Sequence, residues 1–197
     1  MNDNLNPPLA ANVWRQLVSK RLVLFTVLAV GGTVALTVSA KIQVPFYPIP
    51  MTLQSMVVLL IGAAFGARLA GATLALYLAE GLSGLPVLAG LGAGPSYMVG
   101  PTGGYLAGFL VAAGLVGWLV ERGWDRSLPR LLGAMTLGHM LIFALGFSWL
   151  AVSIGSEKAW LLGVMPFVWS TLVKTVLASA LVLIASPRLK FLRDAVR

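Results

Sequence analysis

Lys174 is the residue whose chemistry most needs explaining, because it interrupts the apolar run "FVWSTLVKTVLASALVLIA". An ammonium inside such a run costs at least about 2.5–3.5 kcal/mol unless it meets a partner or water. It can snorkel to a surface, pair with Glu80, or bind an anionic or polar ligand, and the basic-end surface is far along the helix. Ser170 and Thr171 precede it by four and three residues, so a helix places them on its face. Their hydroxyls can serve a ligand beside the lysine or bond back to their own helix carbonyls. Glu80, within another apolar stretch, is a counter-ion, a ligand acceptor or an interfacial charge. His139 is the single histidine. With no acidic or sulfur ligand at suitable spacing, it reads most simply as a polar tip packed between helices. "GPTGGY" (100–105) lacks the Gly-Lys-Ser/Thr ending of a phosphate loop, so nucleotide chemistry is excluded there.

These residues are carried by elements of one kind. The chain has 197 residues, 58% of them hydrophobic and 10% charged, which is more apolar surface than a soluble core of that size can hide. Residues 22–40, 81–120 and 131–156 contain no Asp, Glu, Lys or Arg. About 20 apolar residues make a helix that crosses a bilayer, so the chain reads as a polytopic helical membrane protein. Six spans are expected, over 22–40, 53–67, 69–85, 104–120, 131–152 and 160–185, in one bundle that forms a single transmembrane domain over 1–197. The first apolar run is too long for a signal-peptide core and is read as a retained span. The absence of cysteine excludes disulfides and thiolate chemistry. A net charge of +8 does not indicate nucleic acid here, because the basic residues collect at span ends.

Charge also orients the spans. With both termini in the cytoplasm, that side holds Arg15, Lys20, Arg21, Arg68, Arg122, Arg126, Arg130, Arg188, Lys190, Arg193 and Arg197. The other side holds Lys41 and Lys158. This is the asymmetry of the positive-inside rule. Two unusual segments then share the outer side: "PFYPIPMTLQ" (45–54), with three prolines, and the Gly- and Pro-dense stretch 86–103. Irregular backbone near membrane depth survives where it is buried in protein or lines a cavity, so the two are expected to meet over an outward-facing pocket. In the first span Gly31, Ala35 and Ser39 recur every four residues, a small-residue face for packing within the bundle or docking onto another membrane protein.

"IQVPFYPIPMTLQ", "GLPVLAGLGAGPSYMVGPTGGYLAGFL" and the "PF…LVK" of the last span resemble the BioY family, biotin-specific S components of energy-coupling-factor (ECF) transporters. The resemblance covers about 29–185. It implies a six-helix bundle of the S-component type that binds biotin without turnover and needs no cofactor or metal. It further implies a prokaryotic plasma membrane, a transmembrane coupling component and two ABC-type ATPase subunits as partners, and docking through Gly31, Ala35 and Ser39. A stand-alone biotin permease and an S component for another vitamin are the alternatives. The family's last span often reads Pro-Gly-Asp-x-x-Lys; here Lys174 keeps the lysine and Thr171 stands at the aspartate, so Thr171 or Glu80 must supply the acceptor. For biotin the expected polar groups are Gln43, Thr52 and Gln54, the expected walls Phe46, Tyr47, Tyr97 and Trp169, and the expected charge Lys174.

Overall fold

The computed structural model describes residues 9–196, with side chains described over 20–194. Arg15 and Arg197, which enter the charge asymmetry, lie outside the described side chains. Seven α-helices are present among the described residues: α1 Leu9–Lys41, α2 Gln54–Leu82, α3 Gly94–Met98, α4 Gly103–Glu121, α5 Leu128–Ile154, α6 Ser156–Gly163 and α7 Val168–Val196. Two short strands, β1 Gln43–Val44 and β2 Met51–Thr52, pair antiparallel with Gln43 opposite Thr52. Five of the helical stretches are long and apolar enough to cross a membrane.

One of these five, α2, is folded back on itself. Gly66 has φ 76° and ψ 173°, a conformation essentially reserved for glycine. Along an unbroken helix Gln54 and Tyr77 would stand roughly 34 Å apart. Instead the Gln54 Nε2 donates to the Tyr77 hydroxyl at 2.6 Å. The limbs 54–65 and 67–82 therefore run antiparallel, and with α1, α4, α5 and α7 they make six limbs of a bundle. The expected connection around Arg68 is corrected accordingly: there is no loop, and the chain reverses at one residue. The Glu121 carboxylate, at the end of α4, accepts from the freed Ala67 N–H at 3.1 Å. This satisfies a helix-start donor that the reversal leaves without an intrahelical carbonyl.

The helix α4 lies at the centre. A Cβ on Gly117 would come within 2.5 Å of Ala67 N, and one on Gly108 within 2.9 Å of Ile142 Cα, so the α2 reversal and α5 both close on α4 backbone to backbone. Close approach through small residues is how apolar helices gain packing where lipid offers no hydrophobic drive. Leu59, Leu74, Tyr77, Val116 and Met135 fill the interior without solvent exposure.

The last expected span, 160–185, also needs correction. Residues 156–163 form the separate helix α6, and a 3₁₀ turn at Met165–Phe167 intervenes before α7. Pro166 has no N–H to continue the α-helical ladder, which accounts for the break.

At the basic end of the bundle Arg193 is buried. It donates to Asp125 Oδ2 at 2.6 Å and to the Ala63 carbonyl at 2.6 Å, joining α7 to the α4–α5 turn and to α2. At the opposite end Lys41 closes α1 onto the Gly/Pro segment. Its Nζ donates to the carbonyls of Pro86, Leu88 and Gly90 at 2.6–2.7 Å.

Candidate functional site

The strand-paired segment 43–52 is braced by Pro45, Pro48 and Pro50, whose fixed φ stiffens the chain where it crosses the bundle mouth. Thr52 Oγ1 accepts from the Gln54 N–H at 3.3 Å and so satisfies the first free N–H of α2, whose N-cap is Leu53. The Thr52 carbonyl is taken by Lys174. The lysine side chain, 8% exposed, donates from Nζ to that oxygen at 2.7 Å and lies 3.5 Å from Ser55 Oγ. The ammonium is thus held by neutral dipoles, an arrangement that leaves its formal charge available to a ligand.

Lys174 borders a chamber of about 70 Å³. Its polar margin is Thr52, Gln54, Ser55, Thr102, His139, Thr171 and Lys174, and its aromatic wall is Tyr97, Tyr105, Phe109, Phe143 and Phe167. The aromatics interlock. Phe143 stands 6.4 Å from Tyr105 edge-on and 6.3 Å from Phe167, and Tyr105 Oη donates to Gly163 O at 2.8 Å. A wider vestibule of about 600 Å³ adjoins it, lined by Gln43, Phe46 and the Gly/Pro segment. Pro50, Ala89, Tyr97 and Thr102 border both spaces. An apolar pocket with a few convergent polar groups is the form of a small-molecule site.

The structure therefore gathers Lys174, Gln54, Thr52, Tyr97 and Thr171 at the chamber, and Gln43 and Phe46 at the vestibule. Phe46 also lies 6.3 Å from Phe167, which links the two. Tyr47 is 90% exposed and forms no wall.

Two expected residues stand elsewhere. Trp169 is 79% exposed: it lies five residues from Lys174, about 140° around the helix, so it faces outward when the lysine faces in. Glu80 faces α1, where Thr33 Oγ1 lies 3.2 Å from Oε1, and it does not pair with Lys174. On α1 the face is split. Gly31 and Ala35 are exposed, whereas Ser39 is buried with its hydroxyl on Leu36 O, so Ser39 does not belong to an open docking surface.

His139 was legible only as a packed polar tip, yet it borders the chamber together with Ile142 and Phe143. That spacing of three and four residues marks one helix face and was the available signal. Ser55, one residue after Gln54 and about 100° around the helix from it, carries no such spacing signal. Two buried polar atoms, His139 Nε2 and Gln43 Oε1, have no hydrogen-bond partner among the described residues. An unsatisfied buried group costs about 1–3 kcal/mol, so both call for a partner.

Gln54 belongs to a chain of hydrogen bonds. It donates to Tyr77 Oη, which donates to Val87 O at 2.8 Å, tying the chamber margin to the Gly/Pro segment. Gln54→Ala is expected to weaken ligand binding about tenfold, the equivalent of one hydrogen bond of roughly 1.4 kcal/mol. Equilibrium titration of the purified variant checks this, and an unchanged affinity removes Gln54 from the site.

The comparisons with known proteins agree with this architecture. The model of the BioY family matches residues 11–191. A probable biotin transporter BioY of Pyrococcus horikoshii is 39% identical over 74% of this chain and 86% of its own. The biotin transporter BioY of Thermotoga maritima is 37% identical over 77% and 89%. A crystal structure of the S-component for biotin from an ECF-type ABC transporter superposes with a TM-score of 0.75 at 24% identity, covering 85% of this chain and 93% of that one, which shows the shared fold. By family match and by these relatives, the chain belongs to the BioY family.

Proposed function

We propose that this chain is the biotin-capturing membrane subunit, or S component, of an ATP-driven vitamin importer of the energy-coupling-factor class. The observation that carries the reading is the buried Lys174, held among the described residues by a carbonyl and a hydroxyl at the edge of an aromatic-walled chamber. Biotin has a planar urea, a thioether ring, an apolar chain and a carboxylate. Such a molecule suits a site with one cation, several neutral hydrogen-bonding groups and an aromatic wall. The names of the relatives, biotin transporters, support the same ligand.

The chain acts by binding and release and makes no covalent bond. The chamber end faces outward and the basic end faces the cytoplasm of a prokaryotic cell, with both termini inside, in keeping with the charge asymmetry. Biotin stabilises the state in which the segments 43–52 and 86–103 close the mouth, and the energy for reopening toward the cytoplasm comes from outside the chain. A coupling component docks on the exposed α1 face at Gly31 and Ala35, and two ABC-type ATPase subunits drive it. Beyond its chain neighbours and the helix's own backbone, no heavy atom of the described residues lies within 4 Å of the position a Gly31 Cβ would occupy, so a larger side chain there is accommodated by the isolated chain.

Competition against radiolabelled biotin tests the ligand. Unlabelled biotin should displace the label, whereas thiamine and riboflavin should not; displacement by either would move the assignment to another vitamin. Gly31→Leu tests the partner. It is expected to leave biotin affinity within twofold and to lower biotin uptake at least tenfold in cells that express the whole importer. Full uptake by this variant would take the docking role from this face.

A further inference from the structure

The polar groups around the chamber divide by what they can offer. Lys174 has only donors. His139 is fixed by a proton count. Thr175 Oγ1 lies 2.8 Å from the Thr171 carbonyl oxygen and 3.0 Å from His139 Nδ1. A carbonyl oxygen carries no hydrogen, so the one hydroxyl hydrogen of Thr175 goes to it. The hydroxyl then accepts from the ring, and Nδ1 bears the proton. In the neutral ring that leaves Nε2 with a lone pair and no hydrogen. Nε2 is buried, it has no partner among the described residues, and the residue is 3% exposed. The ring's face of α5 borders the same chamber as Lys174.

We infer that His139 Nε2 is a ligand-binding acceptor, and that it receives one ureido N–H of biotin. A urea presents N–H donors and a carbonyl acceptor side by side, and the chamber presents the complement: an unfilled acceptor at His139 and a donor at Lys174. Thr175 holds the ring in the tautomer this requires, which makes Thr175 a positioning residue. The inference rests on the biotin reading. A site that demands a particular N–H rejects analogues that lack it, because the acceptor is then left buried and unpaired.

The full chain purified in detergent serves for the test. Asn at position 139 keeps a donor near the Nδ1 position and removes the acceptor at Nε2; Gln restores a polar atom there. His139→Asn is expected to raise the Kd for biotin about tenfold, and His139→Gln to recover part of the loss. Biotin methylated at the bonded ureido nitrogen should bind the wild type about tenfold more weakly than biotin, while His139→Asn should no longer distinguish the two. The chain has one histidine, so ¹⁵N-histidine labelling yields one pair of ring signals. Saturating biotin should shift the unprotonated Nε2 resonance upfield and leave Nδ1 protonated, a response that a merely structural histidine does not give. This readout needs no variant to fold. A wild type that binds biotin with an unmoved Nε2 signal, or a folded His139→Asn that binds within twofold of wild type, overturns the inference alone. A wild type that binds no biotin removes the biotin reading and this inference with it.

Discussion

Lys174→Ala should weaken biotin binding by roughly 30-fold or more, about 2 kcal/mol or greater, the usual cost of truncating a desolvated, hydrogen-bonded charge at an interface. The substitution removes the one charged group that borders the chamber among the described residues. It also frees the Thr52 carbonyl, so the segment over the mouth loses its bond to α7. Lys174→Arg should not rescue it, because a planar guanidinium is bulkier than an ammonium and presents its donors in a rigid fork. Titration of both variants, with melting points recorded in parallel, separates loss of the site from loss of the fold. Wild-type affinity in a folded Lys174→Ala would remove the lysine from the site.

The second large effect belongs to stability. Arg193→Ala should destabilise the bundle by about 3–5 kcal/mol, because it leaves Asp125 as an uncompensated buried charge. The two side chains are only 7% and 9% exposed, and Arg193 also satisfies the Ala63 carbonyl. Removing both charges, as in Arg193→Met with Asp125→Leu, should recover much of the loss, since a buried pair is often replaceable by apolar side chains of similar volume. Thermal melting in detergent reads the difference. A single variant that melts with the wild type would show that this junction holds nothing together, whereas a double variant no better than the single would shift the weight to the Ala63 carbonyl. The pair lies at the end of the bundle away from the chamber, so the folded double variant should keep its biotin affinity.

The residues that were readable in advance are those whose signal is local. Long uncharged runs define membrane helices by length, and basic residues at their ends define polarity. Prolines at 45, 48 and 50 and the glycines of 86–103 forbid long helices, which marked out the two segments at the chamber mouth. What escaped depends on contacts distant in sequence. Nothing local separates Gly66, which reverses α2, from Gly62, which packs against Ala113; only the return of Tyr77 to Gln54 reveals the turn. Lys41 at a span end resembles any interfacial charge until the carbonyls of Pro86, Leu88 and Gly90 converge on it. Glu80, a charge within an apolar stretch, is a candidate partner for Lys174 by sequence, but its limb faces α1 and Thr33. Trp169 differs in kind, because local geometry alone places it. Its phase relative to Lys174 is fixed by 100° per residue and pointed it outward from the start. His139 could have been recovered by the same arithmetic, through Ile142 and Phe143.

The central claim, that this chain alone captures biotin, is tested most directly by titrating biotin into the detergent-purified protein without any partner subunit. The account predicts saturable binding at one biotin per chain, lost or strongly weakened in Lys174→Ala. A folded wild-type sample that takes up no biotin would contradict it.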